Sequence, residues 1–283
     1  MIRILSLFSL LAVGSTGYMA TYQHEHNETC SGFVPKELEI QLSPEESFAA
    51  NLDEAKFNAI LDKIEAVYAP IIEAKGGELK ISRLWTNNTV NAAANRTGNE
   101  YWLYMYGGLA RHKETTPDGF AMVVCHELGH HLGENPKYPG RWAANEGQSD
   151  YFGAIKCFKK VFERDDNARI IADMEVDAFA QAKCDLFYTP NTNENALCVR
   201  SSMAGLSLGR LLGVLGGADP LKIKFETPDV GIVTTTNNQH PKAQCRLDTY
   251  FAGSLCPVDH NSDMDPTNAD ANVCNYKMDK SFW

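Results

Sequence analysis

The chain has 283 residues, of which 44% are hydrophobic and 22% charged, with 26 Lys and Arg against 36 Asp and Glu. This composition supplies enough apolar side chains for a substantial core and excludes a wholly disordered or collagen-like chain. The formal net charge of −10 argues against nucleic acid or an anionic membrane surface as the main partner, because both require clustered Lys and Arg.

The first 20 residues have the layout of a secretory signal peptide. Arg3 precedes an apolar run from Ile4 to Val13, and small residues follow up to Ala20. The alternatives are a membrane anchor or a buried helix, but a bilayer span needs about 20 apolar residues. We therefore predict a signal peptide over residues 1–20 and an exported protein, periplasmic or secreted, with no transmembrane anchor after cleavage.

All eight cysteines lie after this segment. An even number of cysteines in an exported chain favours disulfides, and the alternative is buried free thiols. Cys184 with Cys198 and Cys245 with Cys256 are the pairs that lie nearest in sequence. The sequence has no Cys-x-x-Cys pair, which disfavours a thiolate zinc site.

The rest of the chain divides into an irregular N-terminal segment, 21–42, and one domain over 43–283. The irregular segment is either a tail or a short prosegment. Ser43-Pro44-Glu45-Glu46 is typical of a helix start, and apolar residues from Phe57 to Ile72 recur at the three-and-four spacing of an amphipathic helix. Gly76 and Gly77 are expected to end this helix.

A block of short strands follows, and then the pattern becomes helical. The predicted strands are Leu79–Trp85, Thr89–Ala93 and Glu100–Tyr106. The predicted helices are Thr116–Gly133 and Trp142–Val161, with further helices near 169–184, 201–216 and 241–253. A sheet followed by helices predicts an α+β fold that is mainly helical, with a small N-terminal sheet and an active-site helix.

The strongest chemical signal is His126-Glu127-Leu128-Gly129-His130. Two histidines four residues apart lie on one helix face, so that both imidazoles can reach one zinc ion. Glu127 lies beside that face, where it can act as general base on a zinc-activated water. The alternative is a surface helix that carries two histidines by chance.

A third ligand is expected in Asn145-Glu146-Gly147-Gln148-Ser149-Asp150. Glu146 would complete the set of two histidines and one glutamate found in zinc peptidases. Asp150 lies on the same helix face and would accept a hydrogen bond from a ligand histidine. The alternative for this segment is an amphipathic helix with a solvated acidic face.

Together these motifs resemble those of the gluzincin metallopeptidases, more specifically the HtpX/CAAX-prenyl-peptidase (Ste-type) family. Val90-Asn91-Ala92-Ala93 resembles the Asn-Ala strand signature of that family, and residues 106–111 resemble the segment ahead of its zinc helix. Gln239-His240-Pro241 with Arg246 resembles its late His-Pro…Arg motif. The resemblance covers roughly residues 44–254, without the family's transmembrane helices.

The resemblance implies roles for further residues. Glu100–Tyr106 would be the edge strand against which a substrate peptide lies, through Tyr101, Trp102, Leu103, Tyr104, Met105 and Tyr106; its aromatic side chains could equally be packing residues. His240 would stabilise the oxyanion, with Arg246 as second choice. The alternatives are a helix-terminal residue without catalytic role for His240 and a salt bridge for Arg246.

One acidic cluster resembles a calcium loop. Its candidate ligands are Asp259, Asn261, Asp263 and Asp265, with Asp270 at the twelfth position. Met264 stands where the sharp turn of such a loop requires Gly. The alternative is a solvated acidic turn held by Cys256 and Cys274.

The sequence thus predicts an exported zinc-dependent endopeptidase that acts on peptides or unfolded proteins, with one catalytic Zn²⁺. One rival is a non-catalytic zinc-containing binding or chaperone-like module, which would not need Glu127. The other rival is a zinc hydrolase that acts on a cell-wall amide.

Overall fold

The structure, a computed structural model, describes residues 32–43, 45, 51–231, 235–268 and 271–274. Its architecture is α+β, with one small sheet among many helices, as predicted. The strands are β1 (Glu78–Leu84), β2 (Ala92–Thr97) and β3 (Glu100–Tyr106). The α-helices are α1 (Glu54–Ala74), α2 (Gly107–Arg111), α3 (Pro117–Leu132), α4 (Glu146–Phe152), α5 (Phe158–Phe162), α6 (Asn167–Ala172), α7 (Ala178–Phe187), α8 (Asn193–Leu215) and α9 (Ala243–Leu255).

Helix α1 confirms the predicted amphipathic stripe. Its buried face consists of Phe57, Leu61, Ile64, Tyr68 and Ile72. The Asp53 carboxylate caps the helix by accepting a hydrogen bond from the backbone N–H of Lys56 at 2.8 Å. The predicted start at Ser43 falls on a stretch of which Pro44 and residues 46–50 lie outside the described residues. The helix ends before Gly76, whose φ of +79° favours glycine.

The order of the strands corrects one prediction. The sheet has the order β1-β3-β2, with β3 parallel to β1 and antiparallel to β2. Glu100–Tyr106 is therefore the central strand and not the expected edge strand, because its backbone groups pair on both sides. The outer strands are β1 and β2, and β2 begins at Ala92 rather than at the predicted Thr89.

Helix α3 carries the first histidine motif and is buried over nearly its whole length. It begins as predicted, since the Thr116 hydroxyl accepts a hydrogen bond from the N–H of Gly119 at 3.0 Å. Gly129 lets α4 approach closely, because a Cβ at this position would lie 2.7 Å from the Cα of Ser149. The sequence therefore brings the two motif-bearing helices into contact through a glycine.

Helix α4 begins at Glu146, later than the predicted Trp142. The Asn145 side chain caps it by accepting a hydrogen bond from the N–H of Gln148 at 3.0 Å. A π-helical turn, Gly153–Cys157, joins α4 to α5 within the predicted 142–161 segment. Helices α6 and α7 replace the single helix predicted near 169–184, and α8 and α9 include most of the two later predictions.

Three disulfides are present among the described residues. They join Cys125 to Cys157, Cys184 to Cys198 and Cys256 to Cys274. The pairing of Cys184 with Cys198 is confirmed, whereas that of Cys245 with Cys256 is wrong because Cys256 bonds to Cys274. Cys245 has a free thiol, and Cys30 lies outside the described residues. The first disulfide links α3, one residue before His126, to the π-helical turn.

The predicted irregular segment is described from Gly32 onwards. Residues Lys36–Leu38 form a short 3₁₀ turn, and Gln41 pairs with Thr89 in an antiparallel bridge. Phe33 and Val34 are fully buried in the main hydrophobic core. The proposed signal peptide, residues 1–20, lies outside the described residues. Within the part that is described, no helix combines the length and the apolar character that a membrane span requires.

Candidate metal centre

His126, His130 and Glu146 come together as the two motifs predict. One ligand atom from each lies within 4.8 Å of the others, and all three side chains are fully buried. Nε2 of His126 lies 3.3 Å from Glu146 Oε2, and Nε2 of His130 lies 3.6 Å from Glu146 Oε1. The helical spacing on α3 and the contact between α3 and α4 therefore assemble a set of two imidazoles and one carboxylate.

The atoms that face this centre lack hydrogen-bond partners among the described residues. They are Nε2 of His126 and of His130, Oε2 of Glu146, and both carboxylate oxygens of Glu127. A buried polar atom without a partner costs about 1–3 kcal/mol, so unpartnered atoms on three residues whose ligand atoms lie within 4.8 Å of one another indicate a binding site. Nitrogen and oxygen lone pairs that converge on one point fit a metal ion.

Hydrogen bonds behind the histidines orient their rings. Nδ1 of His126 lies 2.7 Å from Asp150 Oδ1, and Nδ1 of His130 lies 2.8 Å from the carbonyl of Ala144. With a proton on each Nδ1, each Nε2 lone pair points into the centre. Asp150 thus occupies the supporting position that the sequence predicted.

The charges of the centre favour a bound cation. Burial disfavours protonated His126, but the Asp150 carboxylate outweighs burial and raises the pKa of His126 to about 9. Burial lowers the pKa of His130 to about 4. Burial would raise the pKa of Glu146, but the nearby histidines His130 and His126 hold it well below its usual value. A metal ion bound by the two Nε2 atoms would be stabilised by the carboxylates of Asp150 and Glu146, which otherwise stabilise the protonated form of His126.

Glu127 lies beside the ligands without being one of the clustered set. Burial raises the pKa of its carboxyl group to about 8, and its neighbour Glu146 adds to this effect, against the opposing influence of His126. A cation bound by the neighbouring ligands would favour the ionised form of this carboxyl group, which can accept a proton and return it. The position and environment of Glu127 therefore fit a general base at a metal centre.

The structure brings His240 to the edge of the centre. Its Nε2 lies 3.6 Å from Glu146 Oε1 and 2.8 Å from the carbonyl oxygen of Gly32. The oxyanion role of His240 stays a prediction, and so does the alternative of a helix-terminal residue without catalytic role.

Arg246 is buried, and its guanidinium group is hydrogen-bonded to Asp150 and to the backbone of Phe33. Its Nε and Nη2 donate to the two carboxylate oxygens of Asp150, both at 2.7 Å, and its Nη1 donates to the carbonyl of Phe33 at 2.7 Å. Tyr250 also donates its hydroxyl to Asp150. This geometry fits the alternative role of Arg246, a structural salt bridge, and does not fit the role of an oxyanion donor.

Two contact residues of the centre were not singled out in the sequence. Tyr138 donates its hydroxyl to Glu146 Oε1 at 2.8 Å, and the Phe33 ring lies edge-on to the His126 ring at 5.2 Å between centroids. Tyr138 lies in the loop between the two motifs, and Phe33 lies in the segment predicted as irregular. Neither position carries a local pattern that points to the centre.

The side chains of β3 alternate between two faces of the sheet. Tyr101, Leu103 and Met105 are buried, whereas Trp102, Tyr104 and Tyr106 are only partly buried on the other face. Trp102 and Tyr104 stack with ring centroids 5.8 Å apart, and Tyr101 packs on His131. These contacts fit the packing interpretation of the aromatic residues.

The predicted calcium ligands have other partners. The carboxylate of Asp259 accepts hydrogen bonds from Asn261 and Ser262, and that of Asp265 accepts from the Thr267 N–H at 2.7 Å. Asp263 forms an ion pair with Lys75 at 2.9 Å. Across the described residues, His126, His130 and Glu146 form the one cluster of three potential ligands. Asp270 lies outside the described residues, and the described part of this acidic segment consists of turns and bends next to the Cys256–Cys274 disulfide.

No protein-family model, no curated protein and no solved structure shows significant similarity to this chain. The function of the centre is therefore inferred from its own geometry and from its resemblance in motif.

Proposed function

We propose that the protein is an exported zinc-dependent endopeptidase of gluzincin type, resembling the HtpX/CAAX-prenyl-peptidase family. His126, His130 and Glu146 bind the metal, and Glu127 is the general base. The observation that carries the proposal is that His126, His130 and Glu146 bring buried ligand atoms within 4.8 Å of one another, and that each of the three offers a buried atom without a hydrogen-bond partner among the described residues. Three protein ligands beside a free carboxylate support a catalytic site, because structural zinc sites are usually closed by four protein ligands.

Zinc is the metal that this donor set favours. Two neutral imidazoles and one carboxylate are its usual ligands in peptidases, and they leave a position for a water molecule or a substrate. When bound, zinc polarises a carbonyl group and lowers the pKa of water.

The residues of the chain supply the proton transfers and the orientation. Glu127 takes a proton from the attacking water and then passes it to the amine that leaves. His240 donates a hydrogen bond to the carbonyl oxygen as negative charge develops on it. Asp150, held by Arg246, keeps the ring of His126 in the orientation that directs Nε2 at the metal.

Export is supported by the sequence and by the cysteines. Three disulfides form among the described residues, and such bonds persist in oxidising compartments. The basic and apolar N-terminal 20 residues have the pattern of a secretion signal.

The test is the hydrolysis of an unfolded protein by the zinc-loaded wild type and by Glu127→Gln. We expect the variant to keep its zinc and its fold while turnover falls by at least about 1,000-fold, because the proton acceptor is lost. Glu73→Gln, at an exposed position of α1, is the matched control and should cleave like the wild type. Normal turnover by Glu127→Gln would refute the assignment of the base.

A further inference from the structure

The N-terminal segment, residues 32–42, lies directly against the candidate metal centre. The ring of Phe33 is fully buried between the His126 ring, 5.2 Å away, and the Arg246 guanidinium, 4.3 Å away. A segment that the sequence predicts to be irregular thus places an aromatic side chain beside a metal ligand.

The backbone of this segment is held by residues that surround the centre. The carbonyl of Gly32 accepts a hydrogen bond from His240 Nε2 at 2.8 Å, and that of Phe33 accepts one from Arg246 at 2.7 Å. The Phe33 N–H donates to the carbonyl of Ala92, the first residue of the outer strand β2, at 2.9 Å. A backbone hydrogen bond therefore joins the segment to the start of the outer strand β2, and two further backbone carbonyls bind side chains that surround the centre.

Asn91 holds the next residue from both sides. Its Oδ1 accepts from the Val34 N–H at 2.8 Å, and its Nδ2 donates to the Val34 carbonyl at 3.1 Å. The N–H and C=O groups of both Phe33 and Val34 are therefore hydrogen-bonded to the protein. Such contacts to the backbone do not depend on the side chains at these two positions.

The Gly32 carbonyl lies beside the candidate metal centre, because the histidine that it contacts also lies next to Glu146. It accepts its hydrogen bond from His240, whose Nε2 lies 3.6 Å from the metal ligand Glu146. We propose that residues 32–34 lie in the substrate subsites in cis, and that the Gly32–Phe33 peptide bond is the first bond the enzyme cleaves. This inference rests on the proposed peptidase function.

The reaction is a simple hydrolysis. The oxygen of one water molecule bonds to the Gly32 carbonyl carbon, and the bond from that carbon to the Phe33 nitrogen breaks. Glu127 carries a proton from the water to the Phe33 nitrogen. The products are a fragment that ends in the Gly32 carboxylate and a chain that begins at Phe33.

The burial of Phe33 defines the class of further substrates. Its ring fills a pocket between His126 and Arg246, so the residue after the cleaved bond should be aromatic or large and aliphatic. Burying such a side chain stabilises a complex by about 2–3 kcal/mol, which corresponds to a preference of roughly 30-fold or more over a small residue. Other substrates compete with the N-terminal segment for the same pocket.

The first test is the N-terminus of the purified, zinc-loaded full chain, read by sequencing and intact mass. We expect wild type to begin at Phe33 and Glu127→Gln to retain the residues before it. Cleavage sites in an unfolded protein should also precede Phe or Leu. A wild-type chain that stays uncleaved at this bond while it degrades the unfolded protein would overturn the inference but leave the proposed function intact.

The second test measures binding and not activity. A fluorescent peptide with the sequence of residues 31–40 is titrated into the Glu127→Gln protein, with and without Phe33→Asp. The added carboxylate should displace the segment, so that the double variant binds the peptide at least about tenfold more tightly. Equal affinity for both proteins would contradict occupation of the subsites in cis.

Gly32→Ala in the Glu127→Gln protein tests the same displacement by a second route, in case the Phe33→Asp chain does not fold. Gly32 has φ +89°, and a Cβ there would lie 2.9 Å from Nδ2 of Asn91. Gly76→Ala is the matched control, because Gly76 has φ +79° but open space around it. Gly32→Ala should strengthen peptide binding and Gly76→Ala should not.

If the peptide binds as expected but neither the wild type nor any variant hydrolyses a peptide, the proposed function is refuted, whereas the occupation of the site by residues 32–34 is supported.

Discussion

Helix α3 carries a charged cluster near each end, partly buried near its start and fully buried near its end, and the two clusters differ in how their polar atoms are paired. Near its start, Asp118 receives two hydrogen bonds from Arg200 at 2.8 Å, and Arg200 also donates to Asp165 and Asn167. Near its end, His126, Glu127 and His130 face Glu146 with atoms that lack partners among the described residues. A cluster whose polar atoms are hydrogen-bonded to one another is typical of a structural role, whereas unpartnered polar atoms that lie close together indicate a binding site.

Both clusters cost desolvation energy, but only one recovers it within the chain. The Arg200 cluster links α3 to α8 and to the loop before α6, and its paired charges explain its burial. The candidate metal centre would recover it on binding a cation, which the unpartnered atoms of its side chains could ligate. Substitutions in the two clusters should therefore differ in their effects on stability and on zinc affinity.

Asp150→Asn is expected to have the largest combined effect. It removes the charge that pairs with buried Arg246, which should lower the free energy of unfolding by about 3–5 kcal/mol. It also weakens the support of His126, so that zinc affinity should fall by about 10- to 100-fold. Chemical denaturation and zinc titration measure the two effects, and an unchanged zinc affinity would contradict the supporting role of Asp150.

Asp118→Asn changes the saturated cluster at the other end of α3. The loss of charge opposite Arg200 should lower the free energy of unfolding by about 1–3 kcal/mol, since Asp165 and Asn167 still contact the guanidinium. Zinc affinity and turnover per folded molecule should match those of wild type. A variant that retained its stability but lost zinc would break the comparison between the two clusters.

Tyr138→Phe should have the smallest effect. It removes one hydrogen bond to Glu146, which is worth about 0.5–1.5 kcal/mol. Zinc affinity should therefore fall by no more than about tenfold, with the fold unchanged. A larger loss, measured by competition with a chromogenic chelator, would mean that Tyr138 does more than orient Glu146.

The parts of the molecule that the sequence predicts well depend on local spacing. His126 and His130 are one helical turn apart, and so are Glu146 and Asp150, so each pair shares a helix face wherever the helices lie. The burial of α1 follows in the same way from its three-and-four pattern. The capping residue Thr116 and the glycine at 133 set the ends of α3 as predicted.

The parts that it predicts poorly depend on contacts between distant segments. Glu100–Tyr106 has the correct bounds, but its central position depends on how β1 and β2 pair with it. The disulfide of Cys256 with Cys274 and the hydrogen bond from Tyr138 to Glu146 are likewise results of packing. The docking of Phe33 against His126 joins residues 93 positions apart, which no local pattern encodes.

The most direct test of the central claim is calorimetric titration of zinc into the metal-free protein, for wild type and for His130→Gln. We expect one ion per chain for wild type, a rise in melting temperature on binding, and loss of the high-affinity site in the variant. Tight binding of one zinc by His130→Gln, or no tight binding by wild type, would contradict the assignment of His126, His130 and Glu146 as the metal centre.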